Sequence, residues 1–78
     1  MNNVDIMELI DKAIEKATGN TFELTEETNL IESEILDSLD SMVFILELEK
    51  ATGKKFPEED LEEEGFFKVG KIVAFLNF

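Results

Sequence analysis

Residues 37–53 read DSLDSMVFILELEKATG, and this stretch decides how the chain folds. Asp37 precedes a long helical pattern, where its carboxylate can accept the unpaired amide hydrogens of a first turn. Gly53 closes the pattern, so the spacing predicts a helix over residues 38–52. Its apolar residues are too many for one face. Phe44, Ile45, Leu48 and Ala51 form a stripe expected to face the core. Leu39, Met42, Val43 and Leu46 form a second stripe, rotated around the helix. A helix apolar on two sides in a small domain leaves apolar surface exposed, a mark of a docking site, unless the preceding loop covers it. Ser38 falls in the first turn with its hydroxyl toward solvent, against free backbone amides and the positive end of the helix dipole. That is a place suited to a phosphate ester.

Upstream, Ile6, Leu9, Ile10, Ala13, Ile14 and Ala17 recur at helical spacing. Asn3 is the expected N-cap, Glu8–Lys12 an expected ion pair, and Gly19 the expected stop. Residues 20–36 keep no period. They read as a long connection with one short turn near residues 25–29, pinned by scattered apolar side chains. Downstream, Phe56-Pro57 suits the start of a short acidic helix over residues 58–63, which Gly65 ends. A last helix is expected from about residue 67 to residue 76, with Val69, Ile72, Val73 and Leu76 on one face. Gly70 lies inside it, a residue worth up to about 1 kcal/mol less than alanine there unless close packing requires it. Nothing alternates with a period of two for long. The expectation is an all-α four-helix bundle, residues 1–78 forming one domain.

Composition narrows the function classes. Seventy-eight residues bury roughly 60% of their extended surface and make one modest core. The chain has no cysteine and no histidine, hence no disulfide, no thiol chemistry and no imidazole base or ligand. The formal charge is −12, from nineteen acids against seven lysines, beyond the roughly 2–8 that keeps a small domain soluble. Phosphate backbones need basic contacts, which argues against nucleic acid and for partners with basic surfaces. The chain shows no apolar stretch of membrane-spanning length and no signal peptide, so a soluble cytoplasmic protein is expected, and its high charge favours a monomer. Acid runs such as Glu58-Glu59-Asp60 lack the desolvated cleft that acid–base catalysis needs, so no enzyme activity is expected. No calcium-loop pattern of alternating acids with a central glycine occurs.

The D-S-L sequence at Asp37-Ser38-Leu39, in a small acidic chain, resembles the phosphopantetheine attachment site of acyl carrier proteins. The resemblance runs over nearly the whole chain. The apolar run Met42 to Leu48 ends in Glu49 as in that family, Phe56 stands before Pro57, and Val69-Gly70-Lys71-Ile72-Val73-Ala74-Phe75-Leu76 is similar to the family's closing pattern. The resemblance implies a bundle of three longer helices and one short one, with a long first loop. It implies a 4′-phosphopantetheine arm on Ser38, added from coenzyme A by a phosphopantetheinyl transferase (holo-carrier-protein synthase). The arm's thiol would hold an acyl or aminoacyl thioester for loading and transfer enzymes of lipid, polyketide or related biosynthesis. Asp37 would cap the helix and help recruit the modifying enzyme. Leu39 and Met42, beside Val43 and Leu46, would form the docking patch, and Asp40, Glu47 and Glu49 would meet basic partner surfaces.

Departures from the family's pattern bear on cargo and partners. The glycine often found before the serine is absent, and Glu34 stands in its place in the longer form of the motif. Ile35-Leu36-Asp37-Ser38 looks more like D-alanyl and other specialised carriers than the fatty-acid form. Val43 replaces a glutamate usual in fatty-acid carriers, and Lys68 replaces a small hydroxyl residue at the start of the last helix. Two serines compete with Ser38. Ser33 lacks the D-S-L context, and Ser41, in D-S-M, would shift every later landmark by three residues. The alternative reading is an acidic helical interaction module whose Ser38 carries nothing.

Overall fold

A computed structural model of the chain describes residues 3–63 and 65–77. It holds four helices, α1 (Asn3–Thr18), α2 (Ser38–Thr52), α3 (Glu58–Leu61) and α4 (Val69–Leu76). No strand occurs among the described residues; one isolated antiparallel bridge joins Asn29 to Lys68. The all-α bundle with three longer helices and one short one is therefore the observed architecture.

The core forms where the periodic stripes meet. Ile6, Ile10 and Ile14 of α1, Phe44 and Leu48 of α2, and Val69 and Ile72 of α4 are all buried. Buried Leu30 and Leu36 pin the long connection to this core. Five ring pairs tie Phe56, Phe66, Phe67 and Phe75 to one another and Phe44 to Phe67, with Phe56 stacked on Phe75 at 4.7 Å between centroids.

Several expectations need correction. Ala51 is exposed, not core: it borders a shallow depression of about 130 Å³ between α1 and α2, which no large side chain fills. Asn3 is the first residue of α1 and not its cap; the cap position lies outside the described residues. Glu8 and Lys12 do not pair; Lys16 Nζ instead reaches Glu47 Oε1 of α2 at 3.4 Å. α3 is shorter than expected, and α4 begins at Val69, two residues late.

The connection between α1 and α2 is more ordered than its aperiodic sequence suggests. Besides the turn at Thr25–Thr28, a second turn spans residues 29–36. Asn29 Oδ1 accepts the amides of Ile31 and Glu32 at 3.0 and 2.9 Å, while Asn29 Nδ2 donates to Glu32 Oε2. The Leu36 amide closes the turn by donating to the Leu30 carbonyl at 2.9 Å. Glu34 sits within it at φ 64, the left-handed region that favours glycine. Glu34 thus occupies a position whose backbone asks for glycine.

The same connection supplies the start of α4. Lys68 makes no side-chain cap there. The amides of Val69 and Gly70 instead donate to the carbonyls of Thr28 and Glu26, both at 2.8 Å. A helix start needs its first amides satisfied, and here backbone carbonyls from a distant segment do it.

Candidate functional site

The end of α2 nearest this connection is built by Asp37. Its backbone is extended (φ −92, ψ −174), its carbonyl accepts the Ser41 amide at 2.9 Å, and its Oδ1 accepts the Asp40 amide at 2.7 Å. Asp37 is the N-cap read from the sequence, and Ser38 is the first helical residue. At the other end Gly53, at φ 74, donates its amide to the Glu49 carbonyl and ends the helix where expected.

Three serines lie near this end, and their hydroxyls differ. Ser33 Oγ donates to the Asn29 carbonyl at 2.6 Å. Ser41 Oγ donates to the Ser38 carbonyl at 2.8 Å and is half-buried. Ser38 is exposed, and its hydroxyl makes no hydrogen bond among the described residues. Ser33 is exposed as well, so what sets Ser38 apart is an exposed hydroxyl without a hydrogen bond among the described residues, at the positive end of a fifteen-residue helix.

The second apolar stripe of α2 stays uncovered. Leu39 and Met42 are 69% and 65% exposed and Leu46 is 54% exposed, with Val43 less so. The long connection does not cover them. Asp40 is half-buried beside them. Glu47 and Glu49 do not share this face. Two residues apart on a helix, they point to opposite flanks. Glu47 lies toward α1 between Lys16 and Lys50, at 3.4 and 3.7 Å. Glu49 lies toward α3, and its Oε2 accepts the Phe56 amide at 2.8 Å.

On that second flank runs a groove of about 440 Å³, lined by Ser41, Met42, Ile45, Leu46, Glu49, Phe56, Leu61 and Phe67. Ser38, Met42, Ile45 and Glu49 follow one another at helical spacing, so the groove runs along the side of α2 that Ser38 begins. Its walls are apolar except for Ser41 and Glu49. Sequence reasoning named Met42, Leu46 and Glu49 as partner contacts, not as groove residues, and did not place Ile45, Phe56, Leu61 or Phe67 at the site. These come together only when the segment around α3 and the residues leading into α4 fold back beside α2, and no local spacing signals that return.

Among the described residues no cluster of His, Cys, Asp or Glu is placed to hold a metal, and no helix is long and apolar enough to cross a membrane.

Comparison with known families agrees with this geometry. Residues 8–76 match the family described as phosphopantetheine attachment site. The chain belongs to that family of phosphopantetheine-bearing carrier proteins. Its prosthetic group is a covalently attached 4′-phosphopantetheine. An exposed serine hydroxyl at a capped helix start fits a phosphate ester, because free amides and the helix dipole favour the added negative charge. No curated protein and no solved structure matches the chain.

Proposed function

We propose that Ser38 is the attachment residue, and that the protein tethers an acyl or aminoacyl group as a thioester on the arm and presents it to partner enzymes. The observation that carries this reading is the contrast among the serines. Ser33 and Ser41 spend their hydroxyls on backbone carbonyls, and Ser38 offers its own to solvent beside the Asp37 cap. In the attachment step Ser38 Oγ attacks the pantetheine-side phosphorus of coenzyme A. A phosphodiester forms, the bond to 3′,5′-adenosine diphosphate breaks, and the serine proton passes to a base on the transferase.

The chain itself then works by position. It contributes neither a thiol nor an imidazole, and the arm supplies the sulfur. The apolar groove beside Ser38 gives the cargo's carbon chain a place away from water. The bare stripe of Leu39, Met42, Val43 and Leu46, with Asp37 and Asp40 at its head, is the surface for basic, partly apolar partners.

The test is intact mass after incubation with coenzyme A and a promiscuous phosphopantetheinyl transferase. One phosphopantetheine is expected on the unaltered protein and on Ser41→Ala, and none on Ser38→Ala. An unchanged mass for the unaltered protein overturns the proposal and leaves the acidic docking module.

A further inference from the structure

The groove beside Ser38 is apolar along most of its wall, but one ionisable group is built into it. Glu49 lines the groove and is half-buried. One of its oxygens, Oε2, is occupied by the Phe56 amide at 2.8 Å. Phe56 is itself buried, stacked on Phe75 and edge-on to Phe66, so this bond is held on both sides. The other oxygen, Oε1, has no hydrogen-bond or ion-pair partner among the described residues. A carboxylate accepts at both oxygens, and one left dry and unpaired is costly. The other polar lining residue, Ser41, has already donated its proton to the Ser38 carbonyl, so it brings no donor to Glu49.

We infer that Glu49 is a specificity-determining residue, which makes the groove prefer a cargo carrying a hydrogen-bond donor on its chain over an unsubstituted acyl group. The inference rests on the carrier reading of Ser38. An unsubstituted chain entering the groove strips water from Glu49 Oε1 and returns nothing. A chain with a hydroxyl group replaces that water by a charge-assisted hydrogen bond. The discrimination thus comes as much from the penalty on the wrong chain as from the gain on the right one.

The experiment loads the holo-protein with two thioesters of equal carbon number, one unsubstituted and one bearing a hydroxyl, each verified by intact mass. Absence of the arm or of cargo in that mass would count against the carrier reading itself and is seen before any comparison is made. Two readouts follow: backbone amide shifts of residues 49 and 56 against the unloaded holo-protein, and the half-life of the thioester in buffer. The hydroxyl-bearing cargo is expected to shift both amides further and to survive several-fold longer. Glu49→Gln keeps an acceptor for the Phe56 amide but places a donor, or no charge, where the cargo would bind. Its fold should hold, as judged by unchanged melting, while the preference disappears. Equal behaviour of the two cargoes on the unaltered protein, or a preference that persists in Glu49→Gln, overturns the inference.

Discussion

The amide of Gly70 donates to the carbonyl oxygen of Glu26 at 2.8 Å, and a β-carbon at position 70 would stand 2.9 Å from that same oxygen. The close approach is what lets the first connection cap α4. Alanine favours a helix interior by up to about 1 kcal/mol over glycine. Here the contact is with backbone, which cannot swing aside. Gly70→Ala is therefore expected to lose stability, by roughly 1–3 kcal/mol, as overpacked sites do. A urea midpoint that rises instead would show that the connection yields freely.

Glu34 presents the opposite case. It holds φ 64 in the turn that leads to Ser38, a conformation that costs a non-glycine residue about 1 kcal/mol. Glu34→Gly should raise stability by up to about that amount, offset in part by the freer unfolded chain. Chemical denaturation of the two forms measures it. The rate of Ser38 modification should stay unchanged, because Glu34 lies outside the cap that positions the serine.

How far the sequence led can be seen from these two positions. The bounds of α2 were legible because Asp37 and Gly53 are local signals, an acceptor before the first turn and a left-handed residue after the last. Ser38 followed from the same cap. The reason for Gly70 was not legible, because its neighbour is a carbonyl from another segment and its identity as Glu26 owes nothing to that side chain. Ala51 failed for a related reason: periodicity gives the direction of a side chain but not whether a partner helix is close enough to cover it. Glu49 was seen as an acid for partners, and its bond to the Phe56 amide depends on the chain turning back after Gly53, which no local spacing signals.

Asp37 combines two roles that substitution can separate. Asparagine keeps an N-cap acceptor and removes the charge, whereas alanine removes both, at a cost of about 1 kcal/mol. Under the recognition reading, Asp37→Asn should melt like the parent yet be modified more slowly at low salt. Charge reversal at Asp40 should slow modification more than the same change at Glu62 or Glu63. Equal slowing at all of these positions would mean that only net charge counts.

The bare stripe of α2 gives a cleaner separation of stability from recognition. Leu39 and Val43 border no part of the groove. Leu39→Ser should change stability by no more than about 0.5 kcal/mol, as exposed substitutions do, and Val43→Ser by more, because more of Val43 is covered. The same variants should raise the KM for modification if this stripe is where the transferase docks. Unaltered modification kinetics in both would move the docking surface elsewhere.

Asp11 on α1 supplies a pH test. Asp11 is exposed, yet the partial burial of its carboxyl in the first place, and the neighbouring carboxylate of Glu8 in the second, raise it above its ordinary value. A carboxyl raised by folding disfavours the ionised native state, so its cost is fully present at neutral pH and disappears as pH falls through the folded value and then the unfolded one. Asp11→Asn should therefore be more stable than the parent at pH 7, and the gap should close in acid. A gap constant with pH would mean that the charge of Asp11 is not what matters.

Phe56 and Phe66 stand at either end of the segment that contains α3, both buried, with ring centroids 5.9 Å apart. α3 itself contributes no buried residue. The segment is thus a flap whose two roots are clamped together in the core. Lifting it breaks the single turn of α3, the packing of Leu61 on the core and the Glu63–Lys71 ion pair, while the aromatic clamp stays intact, so its opening free energy lies below that of the whole bundle. Hydrogen exchange at the bonded amides of residues 60–63 should run through this local opening while Phe44 and Leu48 exchange only on global unfolding. Leu61 forms one wall of the groove, so on the proposed carrier reading this opening would widen the bore for a larger cargo while the buried residues of α1, α2 and α4 stay in place.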